Sequence, residues 1–257
     1  IDTDWIARGD AIHGITRKLG LQSGADRSNS MALDPLHFRI KFVADELWPE
    51  LMAWSQGIDL AAMRSVLQPS AGIWPVFDEW LSALTPSGKV HGLYGYVSNQ
   101  GAIGYSASLS DVSAQGYRGS PSLRNAQGRL WGDGANIAMQ LNADDINLQF
   151  PTLFARAWDF EYVQGLIKFH LQPGYMGLRG QNIKARRHGS ALAVQFAVTR
   201  PKNLYEQRLS IQVGMDGADT SELPDYISFK MAEGLQSWLH QAPQAGRLNG
   251  LLGAYHG

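Results

Sequence analysis

The chain has 257 residues, 44% of them hydrophobic, enough to bury a core as one large all-β domain or two smaller ones. Its 22 basic and 23 acidic residues nearly cancel, and nothing in this balance points to a grip on nucleic acid, which requires a strong basic stripe. With no cysteine there are no disulfides, no thiolate-bound zinc and no thiol catalysis, while the compartment stays open.

In chain order, residues 1–35 are weakly patterned, and Ser23 to Ser30 reads as a loop. His37 to Val43 alternates apolar Phe38, Ile40 and Phe42 with Arg39 and Lys41, which predicts a strand. Residues 45–67 read as helical, since Leu47, Leu51 and Trp54 fall at helical spacing. Asp59 suits the cap of a second short helix holding Leu60, Met63 and Leu67. Pro75, Asp78 and Glu79 begin a further helix with Phe77, Trp80, Leu81 and Leu84 on its apolar face. Met231, Leu235, Trp238 and Ala242 form a matching stripe near the chain's end.

Between these helices the pattern is strand after strand. Ile103 to Leu109 alternates, as do Ile137 to Leu141, Ile146 to Phe150, Ile167 to Leu171, Leu192 to Val198 and Leu209 to Met215. Turn signals separate them at Asn99 to Gly101, Asp133 and Gly134, Pro173 and Gly174, His188 and Gly189, and Asp216 and Gly217. Short turns between consecutive strands predict an antiparallel meander. Each strand has one apolar face, to be covered by a second sheet, by the few short helices or by a ligand.

A repeat links the two helical stripes. Trp80 to Gly95 and Trp238 to Gly253 share six identities over 16 positions: the Trp and Leu pair, three Gly and a second Leu. The expectation is one full repeat unit and the start of the next, within a longer array. The chain does not begin with Met and has no apolar run of about 18 residues, so the expectation is that any targeting segment lies upstream.

The chemical candidates are few. Asp144 and Asp145 read as a turn, because neighbours on a strand face opposite ways and serve one site only across a bulge. Glu46 and Glu50 read as one solvated helix face. The histidines at 13, 37, 91, 170, 188, 240 and 256 show no zinc spacing. Lys184, Arg186, Arg187 and His188 could meet phosphate or lipid headgroups, and read more simply as an exposed turn. Trp80 and Trp238 read as equivalent buried anchors. No enzyme signature is present, and no cofactor or metal is implied.

The stretch LPDYISFKMAEGLQSWLHQAPQAGRLNG, from Leu223 to Gly250, resembles the punctuation of the AsmA-like proteins, and within them the YhdP-like branch of Gram-negative envelopes. Leu223, Pro224, Met231, Trp238, Leu239 and Gly246 carry the match. WLSALTPSGKVHGLYG, Gly57 to Met63, Pro121 to Leu130 and Phe150 to Phe154 resemble further elements of that family. The resemblance implies a mainly β fold, a long twisted antiparallel sheet curled into an open groove with short helices as punctuation. The resemblance spans residues 36–257, with 36–222 as one repeat unit and 223–257 as the start of the next, and leaves the weakly patterned segment 1–35 unmatched. It also implies a non-enzymatic, lipid-binding part of an inner-membrane-anchored protein that spans the periplasm and moves phospholipid towards the outer membrane. Its partners would be phospholipid acyl chains, with membrane contact through the parent protein and no nucleic acid. The groove candidates are Ile137, Met139, Leu141, Ile146, Leu148, Phe150, Leu192, Val194, Phe196, Val198, Leu209, Ile211 and Val213. Two other classes remain, a β-sandwich carbohydrate-binding module and a β-rich carbohydrate-active enzyme. Burial of the apolar faces by protein alone would mark the first, and a cleft with convergent carboxylates the second.

Overall fold

The computed structural model describes residues 2–20, 30–62, 82–117, 120–172, 174–201, 206–241 and 245–257. Its main sheet holds 13 antiparallel strands in sequence order. The first six are β1 (Asp2–Arg8), β2 (Ala11–Gly20), β3 (Ser30–Lys41), β4 (Glu50–Asp59), β5 (Ser87–Val97) and β6 (Ile103–Ala114). Next come β7 (Ser122–Asp133), β8 (Asn136–Gln149), β9 (Trp158–Gln172), β10 (Tyr175–Arg187), β11 (Ser190–Pro201) and β12 (Arg208–Asp216). A two-stranded sheet of β13 (Ala218–Asp219) and β14 (Arg247–Leu248) precedes the last strand of the main sheet, β15 (Leu251–His256). A 3-10 helix (Thr220–Tyr226) and helix α1 (Glu233–Gln241) lie between β13 and β14. The terminal strands β1 and β15 have one neighbour each, so the sheet is open and not a barrel. The chain forms two compact units, residues 1–114 with 128–137 and residues 115–127 with 138–257.

The meander follows from local turn chemistry. His188 and Gly189 both take left-handed backbone, with φ of 49° and 79°, the combination a two-residue hairpin turn demands. Gly101, Gly134, Gly174 and Gly217 supply positive φ at the other predicted turns.

Several sequence expectations need correction. Residues 2–20 form β1 and β2 despite their weak pattern. Gly14 lacks a side chain to show alternation, and the ring of Phe38 from the next strand covers it. The Ser23 to Ser30 loop falls largely outside the described residues. The stretch read as helical around Leu47, Leu51 and Trp54 is strand β4 from Glu50 onward. Leu51 and Trp54 point to opposite faces, so their helical spacing is coincidental. Trp54 stacks on His37 across the β3/β4 pair, with ring centroids 5.2 Å apart. Glu46 and Glu50 therefore share no helix. The Asp59 cap does form, its Oδ1 accepting the Ala62 N–H at 2.9 Å. Met63, Leu67 and most of the Pro75 to Leu84 helix, Trp80 included, lie outside the described residues.

The second helical stripe forms as α1, but nothing in α1 is buried, and Trp238 is 60% exposed. Trp238 is thus no core anchor. The repeat itself has a backbone signature. Gly88 and Gly246 have φ of 119° and 133°, and Gly92 and Gly250 have φ of 56° and 92°. Two of the three repeated glycine pairs thus occupy left-handed positions that a side chain would strain.

Mid-strand bulges are the other recurring device. Asp111 in β6, Asn125 in β7, Asp145 in β8 and Asn182 in β10 all have positive φ, from 51° to 60°. Asp and Asn tolerate this region better than other side-chain-bearing residues. The register slips at Asn182 against both β9 and β11. Asp144 and Asp145 are accordingly a bulge within β8, and not the expected turn. Asn125 donates to the carbonyls of Asp144 and Asp145, at 3.0 and 3.3 Å, fastening the bulge to β7. A bulge adds a residue, bends the strand and reverses which residues face in.

Two stability outcomes follow. A methyl at Gly180 would clash with the Phe196 ring, whereas at Gly214 the nearest atom is 3.9 Å away. Gly180→Ala is expected to cost about 1–3 kcal/mol in denaturant unfolding and Gly214→Ala less than about 1 kcal/mol; equal losses would contradict the ring's placement. Trp238→Ala is expected to stay within about 0.5 kcal/mol of the parent, as exposed sites do. A loss above about 3 kcal/mol would restore the buried-anchor reading.

Candidate functional site

Register places apolar side chains in rows across the second unit. Directly paired residues on antiparallel strands share a face. One row is Val163, Ala185, Leu192, Met215 and Leu251, from β9 to β15. The next is Ile183, Val194, Val213 and Gly253. Then come Ile167, Gly180, Phe196, Ile211 and Tyr255, followed by Phe169, Leu178, Val198 and Leu209. Rows on one face lie two residues apart, about 7 Å, and neighbouring strands about 4.8 Å apart. Four rows over five strands therefore make an apolar surface about 20 Å in each direction, more than the roughly 15 Å depth of one bilayer leaflet.

The reverse face is polar or small. Lys168, Arg179, Ala197 and Ser210 pair across one of its rows, and Gln195 with Gln212 across another. Alternation along β11 and β12 thus separates a wet face from an apolar one.

Cover on the apolar face is uneven. Leu192 is 7% and Met215 5% exposed, and Val163, Ile183 and Ala185 are buried as well. Val194, Phe196, Val198, Leu209, Ile211 and Val213 are only half-buried, and Tyr255 is 57% exposed. No second sheet lies over them: beyond the main sheet, the described residues form only the two-residue strands β13 and β14.

Beside the Leu192 end, the segment 217–231 is held against Arg187 and, through β13, lies close to β11. The two-residue pairing of β13 with β14 fixes its start, and Asp219 caps the 3-10 helix by accepting the Ser221 N–H at 2.8 Å. The Ser221 hydroxyl, and after it this N–H, hold the Asp219 carboxyl below its ordinary pKa by hydrogen bonding to its charged form. Leu223 and Ile227 are its buried apolar contacts. At its far end the Phe229 N–H donates to the Leu153 carbonyl at 2.9 Å, in the connection between β8 and β9. Phe150, Phe154, Trp158 and Phe160 form an aromatic cluster there, and Trp158 also packs on Tyr226.

Arg187 ties this segment to the sheet. It lies on the same face as Ala185 and Ile183, two and four residues back along β10, and is 4% exposed. Its guanidinium donates to Asp225 at 2.7 Å and to the Tyr226 hydroxyl at 3.0 Å. Burial opposes its charge, but these hydrogen bonds outweigh burial and raise its pKa further. Asp225 also faces Arg156 at 3.4 Å, and its carbonyl accepts from Trp158 Nε1 at 3.1 Å. Arg187 is therefore an internal clamp, which corrects the reading of the basic cluster as an exposed turn. His188 remains exposed, 3.4 Å from Glu222.

Of the sequence candidates, the seven on β11 and β12 come together as paired neighbours: Val194 with Val213, Phe196 with Ile211, Val198 with Leu209, and Leu192 with Met215 beside them. On β8, burial moves from Leu141 and Ala143 to Ile146 across the bulge, which explains the shift from odd to even positions. Met139 and Leu148 are half-buried, and Phe150 joins the aromatic cluster. Ile137 belongs to the first unit. The reading missed Leu178, Ile183 and Ala185, because Gly177, Gly180 and the Asn182 bulge hide the alternation of β10. It also missed a face of the first unit on which Ala7, Ile12, Ile40, Leu51, Val97 and Ile103 pair in one row.

Among the described residues no group of three or more His, Asp or Glu is placed to hold a metal ion, and no helix is long and apolar enough to cross a membrane. Comparison with curated proteins and with solved structures gives no significant match. Comparison with protein families matches residues 26–254 to the family described as YhdP protein. The match spans most of both units and both copies of the Trp and Leu repeat, and the chain belongs to the YhdP family.

Proposed function

We propose that this chain is a lipid-binding segment of a bridge that carries phospholipid between inner and outer membranes. In this reading its parent is anchored in the inner membrane and crosses the periplasm. Acyl chains lie on the apolar rows, and no bond is made or broken. The observation that carries the reading is the half-exposed set Val194, Phe196, Val198, Leu209, Ile211 and Val213, all on one face of a single sheet. A lipid chain left in water costs about 0.8 kcal/mol per CH₂, so two chains cost on the order of 20 kcal/mol. A path for them must be continuous and apolar, and paired rows running from strand to strand have that form. Family membership is consistent with a lipid-transport bridge.

The β-sandwich alternative requires a second sheet over those rows, which the described residues do not provide. The glycosidase alternative requires carboxylates converging in a cleft. Asp144 and Asp145 are both exposed on the β8 bulge, and their backbone carbonyls serve Asn125.

Val194→Asp tests the reading. A carboxylate among acyl chains is destabilising by several kcal/mol unless it protonates, but water reaches it when the face is empty. The variant is expected to melt within a few degrees of the parent after delipidation. Crosslinking to a diazirine-bearing phosphatidylethanolamine should fall by about tenfold or more, the effect of 1.4 kcal/mol or greater. Unchanged crosslinking, or unfolding of the empty protein, contradicts the reading.

A further inference from the structure

The row at Leu192 and Met215 is continuous with the exposed rows and carries the same kind of side chain, yet it is buried. Beside it lies the segment containing the 3-10 helix, bonded to Arg187 on the neighbouring position of the same face and close to β11 through β13, and three features of that contact suit a removable cover. First, the helix is one short 3-10 run, a weak form of regular structure, and it follows Gly217 at a φ of 75°. Second, the backbone-to-backbone bonds that anchor it lie at its ends, the β13/β14 pair and the Thr220 N–H to the Gly246 carbonyl at one and the Phe229 N–H to Leu153 at the other, and between them side chains of Arg187, Arg156 and Trp158 converge on the single residue Asp225. Helix α1, which follows, buries nothing.

Third, its contact with the sheet is polar and incompletely satisfied. Arg187 Nε, Ser190 Oγ and Glu222 Oε2 are buried and meet no hydrogen-bond partner among the described residues. Ser190 is the direct cross-strand partner of Arg187, so two of these atoms lie side by side beneath the helix. A buried ion pair with orphaned neighbours is weakly held, because opening it returns each group to water. The apolar side chains that opening uncovers are ones an acyl chain can cover in the helix's place.

We propose that residues 217–231 form a strap latched by Arg187 and Asp225, and that its release extends the lipid-bearing face from the Phe196 row to the Leu192 row. The proposal rests on the lipid-conduit reading above. Arg187 and Asp225 are here positioning residues: they hold the strap and touch no lipid while it is closed.

The test uses two variants of the whole chain. Asp225→Asn keeps the shape of the side chain and removes its charge from Arg187 and Arg156. Arg187→Met with Asp225→Leu replaces the latch by apolar contact, which tends to hold a buried site shut. Hydrogen exchange at the Thr220 and Phe229 amides reads the strap without lipid. Vesicles of phosphatidylethanolamine and phosphatidylglycerol, carrying a diazirine acyl chain, read which rows lipid reaches. For Asp225→Asn we expect exchange at both amides about tenfold faster, with label gained at Leu192 and Met215 and unchanged at Phe196 and Ile211. For the double variant we expect slower exchange and no label at Leu192. Unaltered exchange in both variants overturns the latch. Faster exchange with no label gained at Leu192 overturns the strap as a lipid cover, while label at Phe196 preserves the conduit. Absence of label at Phe196 in the parent chain overturns the conduit and the strap together.

Discussion

A sheet one layer thick cannot cover its own apolar face, and everything else in this chain is arranged around that constraint. In a sandwich, a second sheet would remove Phe196, Ile211 and their neighbours from water. Here the described residues supply one short helix over one end of the second unit and leave the rest half-exposed. Large exposed apolar patches mark a surface that something else covers. Acyl chains fit the demand because they need contact without direction, and the rows offer contact with few polar groups.

Keeping one face apolar across many strands is a problem of phase. A slip of one residue would turn every side chain of a strand to the wrong face. The bulges manage this. At Asp144 and Asp145 the strand adds a residue, and burial resumes on Ile146 in the opposite parity. At Asn182 the same device lets Leu178 and Gly180 on one side and Ile183 and Ala185 on the other share rows with β11. Left-handed Asp, Asn and Gly at such points are thus part of how the face stays continuous, and substitution by a β-branched residue there would meet backbone strain.

These devices also explain what the sequence made legible. Strands β11 and β12 run without a bulge, so period-two alternation from Leu192 to Val198 and from Leu209 to Met215 identified both strands and their shared face. The hairpin glycines were readable because a left-handed turn leaves few other choices. β10 was opaque, since glycines and a bulge interrupt it, and β4 was misread because Leu47 and Trp54 lie at helical spacing by coincidence. Long-range pairing was the other hidden quantity. Arg187 sits in a run of basic residues, and only tertiary structure places Asp225 and Tyr226 against it. Trp238 shows the converse: a repeated aromatic on an amphipathic helix looks like core, yet it faces solvent.

The covered and uncovered ends of the second unit differ in exposure, and in the proposed reading the uncovered end is the one that holds lipid at rest. The most direct measurement is mass spectrometry of organic extracts from the chain purified without detergent. The account predicts phospholipid in the extract in near-stoichiometric amount, removed by delipidation without loss of the fold. Protein that is fully folded, monomeric and free of lipid as isolated would contradict it.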